Sequence, residues 1–280
     1  MKTVRVQPAP VATVEVLAAR SGGPIGTIAI PIRDQMNAKT AMSLLHTDWG
    51  FLGPGESIDR VIVQGNVLVT QRNECVQRMR GDWLLFIDDD MTWDPVAIGL
   101  LIASYRDLKV QFPDTPIMVG GLCVRRAAPY QPTLYMREAP DAGKYNFLEK
   151  WATDIVEVDA TGMAFVLIET PVFEALMGGP MPSAEERMQL TPWQYFQWLG
   201  FMGEDIRFCQ EAKEKGVRIF VDTRIHTGHV GEVVFGLDHF YQEIALRSRE
   251  DELMRRGLNS KMGLPTMTAK EARKRLGWKP

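Results

Sequence analysis

Apolar positions along the chain fall into short continuous runs separated by stretches of helical period, the pattern of strands buried on both faces and connected by helices. Thr27-Ile28-Ala29-Ile30 is the first run, ended by Pro31, and residues 37–45 then carry a helical pattern. Arg60-Val61-Ile62-Val63 repeats the scheme, followed by a helical stretch over 67–79. Trp83-Leu84-Leu85-Phe86-Ile87 comes next and runs directly into Asp88-Asp89-Asp90. Asp94-Pro95 reads as a helix cap with proline in the first turn, opening a helix over 96–108, and residues 116–120 form the next strand. Strands bounded by helices at this spacing predict parallel pairing.

Farther along, residues 127–150 are polar, proline-containing and aromatic, which predicts a long loop or small hairpin. Residues 156–168 hold enough β-branched positions around Gly162 for a strand pair, and 171–177 form a short helix. The aromatic stretch 193–201 places Trp193 with Phe196 and Trp198 with Phe201 at a spacing suited to helical packing, which favours a core role. A helix over 204–215 is stopped by Gly216, a strand over 217–221 leads into a glycine-punctuated loop, and 237–256 form a long charged helix. Residues 1–23 read as a loosely attached arm, 24–235 as the main domain and 236–280 as a C-terminal helical extension.

Composition narrows the class. With 280 residues, 45% hydrophobic and 24% charged, disordered and fibrous classes are excluded. The formal charge of −3 lacks the positive excess of phosphate-backbone binders. The three cysteines, Cys75, Cys123 and Cys209, are odd in number and far apart, so neither a disulfide framework nor a paired-cysteine zinc site is encoded. No apolar run approaches the ~20 residues of a membrane span, and Arg5, Glu15 and Arg20 interrupt any signal-peptide core. The expectation is a soluble cytoplasmic protein without a membrane span.

Three segments carry chemistry. Asp88-Asp89-Asp90 stands at the C-terminal end of an apolar strand, where open α/β sheets place ligands. Three adjacent carboxylates repel one another unless a cation shares them, and hard oxygen ligands favour Mg²⁺ or Mn²⁺; the bland reading is an acidic turn. Gly203-Glu204-Asp205 opens a helix, where acidic residues are also ordinary complements to the helix dipole. His226 and His229 flank Thr227-Gly228, whose glycine allows close backbone approach to a ligand. Arg125-Arg126 is a candidate acceptor or phosphate contact, or simply a solvated pair.

Taken in order, these segments resemble the family 2 glycosyltransferases and their GT-A relatives, over roughly residues 27–231. Gln71-Arg72-Asn73, the approach Gly81-Asp82 to the Asp88-Asp89-Asp90 strand end, the Gly162 strand, Glu204-Asp205 and the downstream His229-Val230-Gly231 carry the resemblance. It implies an α/β fold of GT-A type, with a mostly parallel nucleotide-binding sheet flanked by helices, a smaller acceptor-side portion and C-terminal helices. It further implies a metal-dependent transfer from a nucleotide-sugar donor, a UDP-sugar being favoured, to an acceptor hydroxyl, with inversion. Pro31, Arg33 and Asp34 would line the nucleobase pocket, Arg72, Asp88 and Asp89 would serve the donor, and Asp90 with His229 would hold Mn²⁺ or Mg²⁺. Asp205 would be the general base, with Glu204 beside it. Three adjacent acids stand where many members have a spaced pair, so each of Asp88, Asp89 and Asp90 remains eligible as the metal ligand. A glycan, protein, lipid or modified DNA base is open as acceptor. The competing classes are a nucleotidyltransferase or metal-dependent phosphohydrolase, and a non-catalytic sugar-nucleotide or glycan-binding protein.

Overall fold

The computed structural model describes residues 23–139, 144–198, 202–231 and 234–255. In chain order the elements are β1 Gly26–Ile32, α1 Ala38–His46, β2 Ile58–Gln64, α2 Leu68–Arg78, β3 Trp83–Ile87, β4 Met91–Trp93 and α3 Ala97–Gln111. They continue with β5 Ile117–Leu122, β6 Leu134–Arg137, β7 Tyr145–Phe147, β8 Ile155–Val158, β9 Ala160–Thr161, β10 Phe165–Glu169 and α4 Thr170–Met177. The last are α5 Ala184–Arg187, α6 Glu204–Glu214, β11 Arg218–Val230, β12 Val234–Phe235 and α7 Leu237–Arg255.

The central sheet has the order β12-β11-β5-β10-β3-β1-β2, with β4 and β8 also pairing with β11. Its β2–β1–β3 side is parallel, as the alternation of strands and helices predicts. β10 runs antiparallel between β3 and β5, which makes the whole sheet mixed. The parallel half matters for function: the C-terminal ends of β1 and β3 are neighbours, so the residues that follow them share one edge.

The pleat of β3 shows how the core is built. Leu84 and Phe86 join one apolar layer, while Trp83, Leu85 and Ile87 join the layer on the opposite face. All five are buried, which is why the strand reads as a continuous apolar run instead of an alternating one. Residues 127–150 include the expected hairpin, β6 with β7, and β6 also pairs with β9. α6 ends at Gly216, whose φ of 84° is the left-handed conformation that stops a helix at little cost.

Two expectations are corrected. Residues 222–229 are not a loop after a short strand: β11 continues from Arg218 through Val230, with an irregularity between Asp222 and His226. The described part of the aromatic stretch is not helical. Tyr195 and Phe196 are buried, whereas Trp193 and Trp198 are 53% and 65% exposed; Phe201 lies outside the described residues. The Asn73 side chain explains the extended shape, since it accepts from Phe196 N at 2.9 Å and donates to Phe196 O at 3.0 Å, satisfying groups a helix would otherwise pair.

The arm at 1–22 and residues 256–280 lie outside the described residues. The helix of the C-terminal extension packs into the main core, where Leu237, Phe240, Tyr241 and Ala245 are buried. Among the described residues no helix is long and apolar enough to cross a membrane.

Candidate functional site

β3 delivers Asp88-Asp89-Asp90 to the sheet edge as a tight turn, with Met91 N donating to Asp88 O at 3.3 Å before β4 begins. Alternation along a continued strand would put Asp88 and Asp90 on one side; the turn instead sends each carboxylate to a different partner. Asp88 accepts from Arg72 Nη2 at 3.0 Å. Asp89 accepts from the backbone N–H of Arg33 at 3.4 Å. Asp90 is ion-paired with Arg126 Nη1.

Asp89 also organises the approach from β1. Its carbonyl oxygen accepts from Asn37 N and Thr40 Oγ1, both at 2.9 Å, which docks the start of α1 beside the turn. Pro31 is buried near the end of β1, opposite Val63, while Arg33 and Asp34 are exposed just beyond it. The three residues named for the nucleobase thus lie along the same edge as the acidic turn. Burial lifts the Asp89 carboxyl above its usual range, although the Arg33 N–H opposes the shift.

The element joining the two halves of the site is Arg72. It is 2% exposed on α2. It donates through Nη1 to Glu204 Oε1 at 2.5 Å and through Nη2 to Asp88. Burial alone would lower the pKa of its guanidinium, but the charges of Asp88, Glu204 and Asp205 outweigh that and raise it. Its cationic carbon lies 6.0 Å from the Phe86 ring and 5.9 Å from the Phe196 ring. Phe196 in turn stacks on Phe208 of α6 at 4.5 Å, so α2, β3 and α6 are locked around one cation.

Glu204 and Asp205 differ in their surroundings. Glu204 is buried and ion-paired with Arg72. Asp205 is half-buried and forms no ion pair among the described residues; its Oδ1 accepts from Ile206 N at 2.7 Å. Burial first, and then the neighbouring charge of Glu204, pushes the Asp205 carboxyl above the ordinary carboxylate range. A carboxylate so placed has the raised basicity that proton abstraction requires. Gly203 makes room for it, because a Cβ there would stand 2.7 Å from Asp205 Oδ1. Sequence reasoning treated Gly203 as a helix opener only. Gly162 faces the same carboxylate, a Cβ there lying 3.8 Å from Asp205 Oδ2.

His229 reaches the acidic turn because β11 pairs with β4, setting His229 opposite Met91, and Val230 N donates to Asp90 O at 2.6 Å. The charges of Arg126 and His229 counter the burial that raises the Asp90 pKa. His226 is exposed and pairs in register with Leu122.

Among the described residues no group of three or more His, Cys, Asp or Glu side chains converges as a metal cage. A hard divalent ion at a phosphate site does not need one, since it usually keeps one or two carboxylates and completes its shell with water and phosphate. The His229 ring is set up for ligation: Nδ1 lies 2.6 Å from Val124 O, a pure acceptor, so Nδ1 carries the proton and the Nε2 lone pair is left available in the neutral ring. A carboxylate at Asp90 and a neutral imidazole at His229 are donor types that suit such an ion.

Residues 60–165 match the profile of the family described as glycosyl transferase family 2. No curated protein sequence matches the chain. Among solved structures, A197 from STIV is similar at 14% identity and a TM-score of 0.45, over 73% of this chain and 85% of that one. GalNAc-T7, solved with UDP, GalNAc and Mn²⁺, is similar at 12% identity and a TM-score of 0.48, over 90% of this chain and 54% of that one. TarS from S. aureus is similar at 10% identity and a TM-score of 0.38, over 80% of this chain and 64% of that one. The chain thus spans about half the length of the GalNAc-T7 chain it matches.

Proposed function

We propose that this chain is a family 2-like glycosyltransferase of GT-A-type α/β fold, and that it moves a sugar from a nucleotide-activated donor, a UDP-sugar being favoured, to an acceptor hydroxyl by direct displacement. The observation that carries this reading is the Arg72 bridge, which holds the acidic turn after β3 and the Glu204-Asp205 helix start in one site although they are far apart in sequence.

In this reading the donor lies along the sheet edge, its nucleobase against Pro31, Arg33 and Asp34 and its phosphates toward Asp88-Asp89-Asp90. Asp90 and His229 would hold Mn²⁺ or Mg²⁺, which supplies positive charge against the diphosphate as it leaves. Asp205 takes the proton from the acceptor hydroxyl, its basicity raised by burial and by Glu204. Glu204 and Arg72 hold that carboxylate in position relative to the donor edge. A base acting on the attacking hydroxyl implies inversion at the sugar carbon.

A thermal-shift panel of nucleotide sugars with and without Mn²⁺ tests the donor class. A ligand at 100 times its Kd adds about 2.7 kcal/mol, or about 5–11 °C for a chain of this size. A shift that requires both the nucleotide sugar and the ion is expected. No shift with any nucleotide sugar would remove the reading.

A further inference from the structure

Segment 124–126 touches both candidate metal ligands. The Val124 carbonyl holds His229 Nδ1 at 2.6 Å, and two residues later Arg126 is paired with Asp90. The loop that carries Arg126 is closed at its base by a bridge between Val124 and Pro132 and by Arg125 N donating to Gln131 O at 3.0 Å. Arg125 is turned aside over the Phe147 ring at 5.4 Å, which leaves Arg126 as the residue of the pair that faces the acidic turn. Its side chain is 56% exposed, against 21% for Asp90. A permanently charged guanidinium thus sits on the carboxylate assigned to a cation, and it is held there only by a partly solvated pair, the weak kind.

Resting on the donor and metal reading above, we infer that Arg126 neutralises Asp90 while the site is empty and turns to the donor's diphosphate when the site is loaded. A divalent ion on Asp90 would repel the guanidinium beside it and compete for the same carboxylate, which weakens the Arg126 pair. The displaced guanidinium has a new partner close by, since its planar fork matches phosphate oxygens in a two-point contact. The exchange keeps the partly buried carboxylate neutralised in both states and adds a protein cation to the leaving group. Arg126 is then a diphosphate-binding residue, distinct in effect from Arg72, whose two carboxylate partners keep it in place.

The test is calorimetric and needs no turnover. Mn²⁺ alone is titrated into the full chain, its Arg126→Ala and Arg126→Lys variants, and Asp90→Asn. The Mn²⁺ complex of whichever of UDP, GDP, CDP or ADP binds the wild type best is then titrated into the same proteins. Arg126→Ala should bind Mn²⁺ alone more tightly, by up to about 5-fold for loss of an exposed pair. It should bind the Mn²⁺–nucleotide complex about 10-fold or more weakly, for loss of a charged hydrogen bond. Arg126→Lys should recover part of both. Changes in the same direction for the two titrations, or unchanged nucleotide affinity, would overturn the exchange alone. Equal Mn²⁺ binding by the wild type and Asp90→Asn would overturn the metal assignment, and the exchange with it.

Discussion

Replacing Arg72 by Met keeps the stem that packs between Phe86 and Phe196 but removes the charge that Asp88 and Glu204 share. Breaking a buried ion network by deleting one partner costs about 3–5 kcal/mol, because the remaining charges stay desolvated. The Glu204 side chain is 10% exposed and that of Asp88 24% exposed, so Asp88 regains some hydration and the loss falls near the lower end, about 3 kcal/mol. For a chain of this size that lowers the melting temperature by about 6–12 °C. Glu204→Gln should cost less, since Arg72 keeps Asp88. In the double variant Arg72→Met/Glu204→Gln the losses should fall short of additive by about 1–3 kcal/mol, the coupling of residues in one network. Urea unfolding of the four proteins measures this directly. A loss under about 1 kcal/mol for Arg72→Met, or strict additivity, would refute the claim that this cation ties α2, β3 and α6 together.

The remaining predictions concern the titrating and ligating groups. Asp205 has a folded-state pKa above its unfolded value, so its proton is held more tightly in the fold and its contribution to stability is full below pH ~3.9 and is lost as pH rises through the folded pKa. Asp205→Asn should therefore be more stable than wild type near pH 7, with the gain fading toward pH ~4; urea melts at the two pH values check it, and a less stable variant at neutral pH would contradict the burial account. His229→Ala should weaken Mn²⁺-dependent nucleotide binding and cut turnover, whereas His226→Ala, at an exposed position, should do much less. Equal losses would remove the distinction between them.

What could be read from the sequence follows from how local each signal is. β1, β3 and β5 were legible because strands buried on both faces are unbroken apolar runs, β2 from its Val61-Ile62-Val63 run although its burial alternates at the sheet edge, and α6 because Gly203 and Gly216 bracket a helical pattern. β4 was missed: three residues after an acidic turn carry no periodicity, and they are a strand only because β11 lies beside them. β11 looked like a short strand running into a loop because Thr223 and Arg224 interrupt its apolar run. The irregularity is stabilised by Asp222, fully buried, which accepts from Ser104 and Arg224, and by Thr223 N donating to Asp154 O at 2.7 Å. At the site, the residue types were legible but their partnerships were not. The three aspartates looked alike, whereas Asp88 pairs with Arg72, Asp90 with Arg126, and Asp89 accepts only a backbone N–H among the described residues. Local sequence also offered no way to separate Glu204 from Asp205; the Arg72 contact, made across 132 residues, does so.

In the proposed reaction Asp205 is the base that acts on the acceptor beside a donor held at the acidic turn. The decisive measurement compares donor Kd and Mn²⁺-dependent turnover of the nucleotide sugar for wild type and Asp205→Asn. The substitution keeps the shape and the acceptor for Ile206 N while removing the basicity. Donor Kd should stay within a few-fold while turnover falls by about 10²- to 10⁴-fold, the range that general-base catalysis supplies. Near-wild-type turnover in Asp205→Asn, or a loss confined to donor affinity, would contradict it.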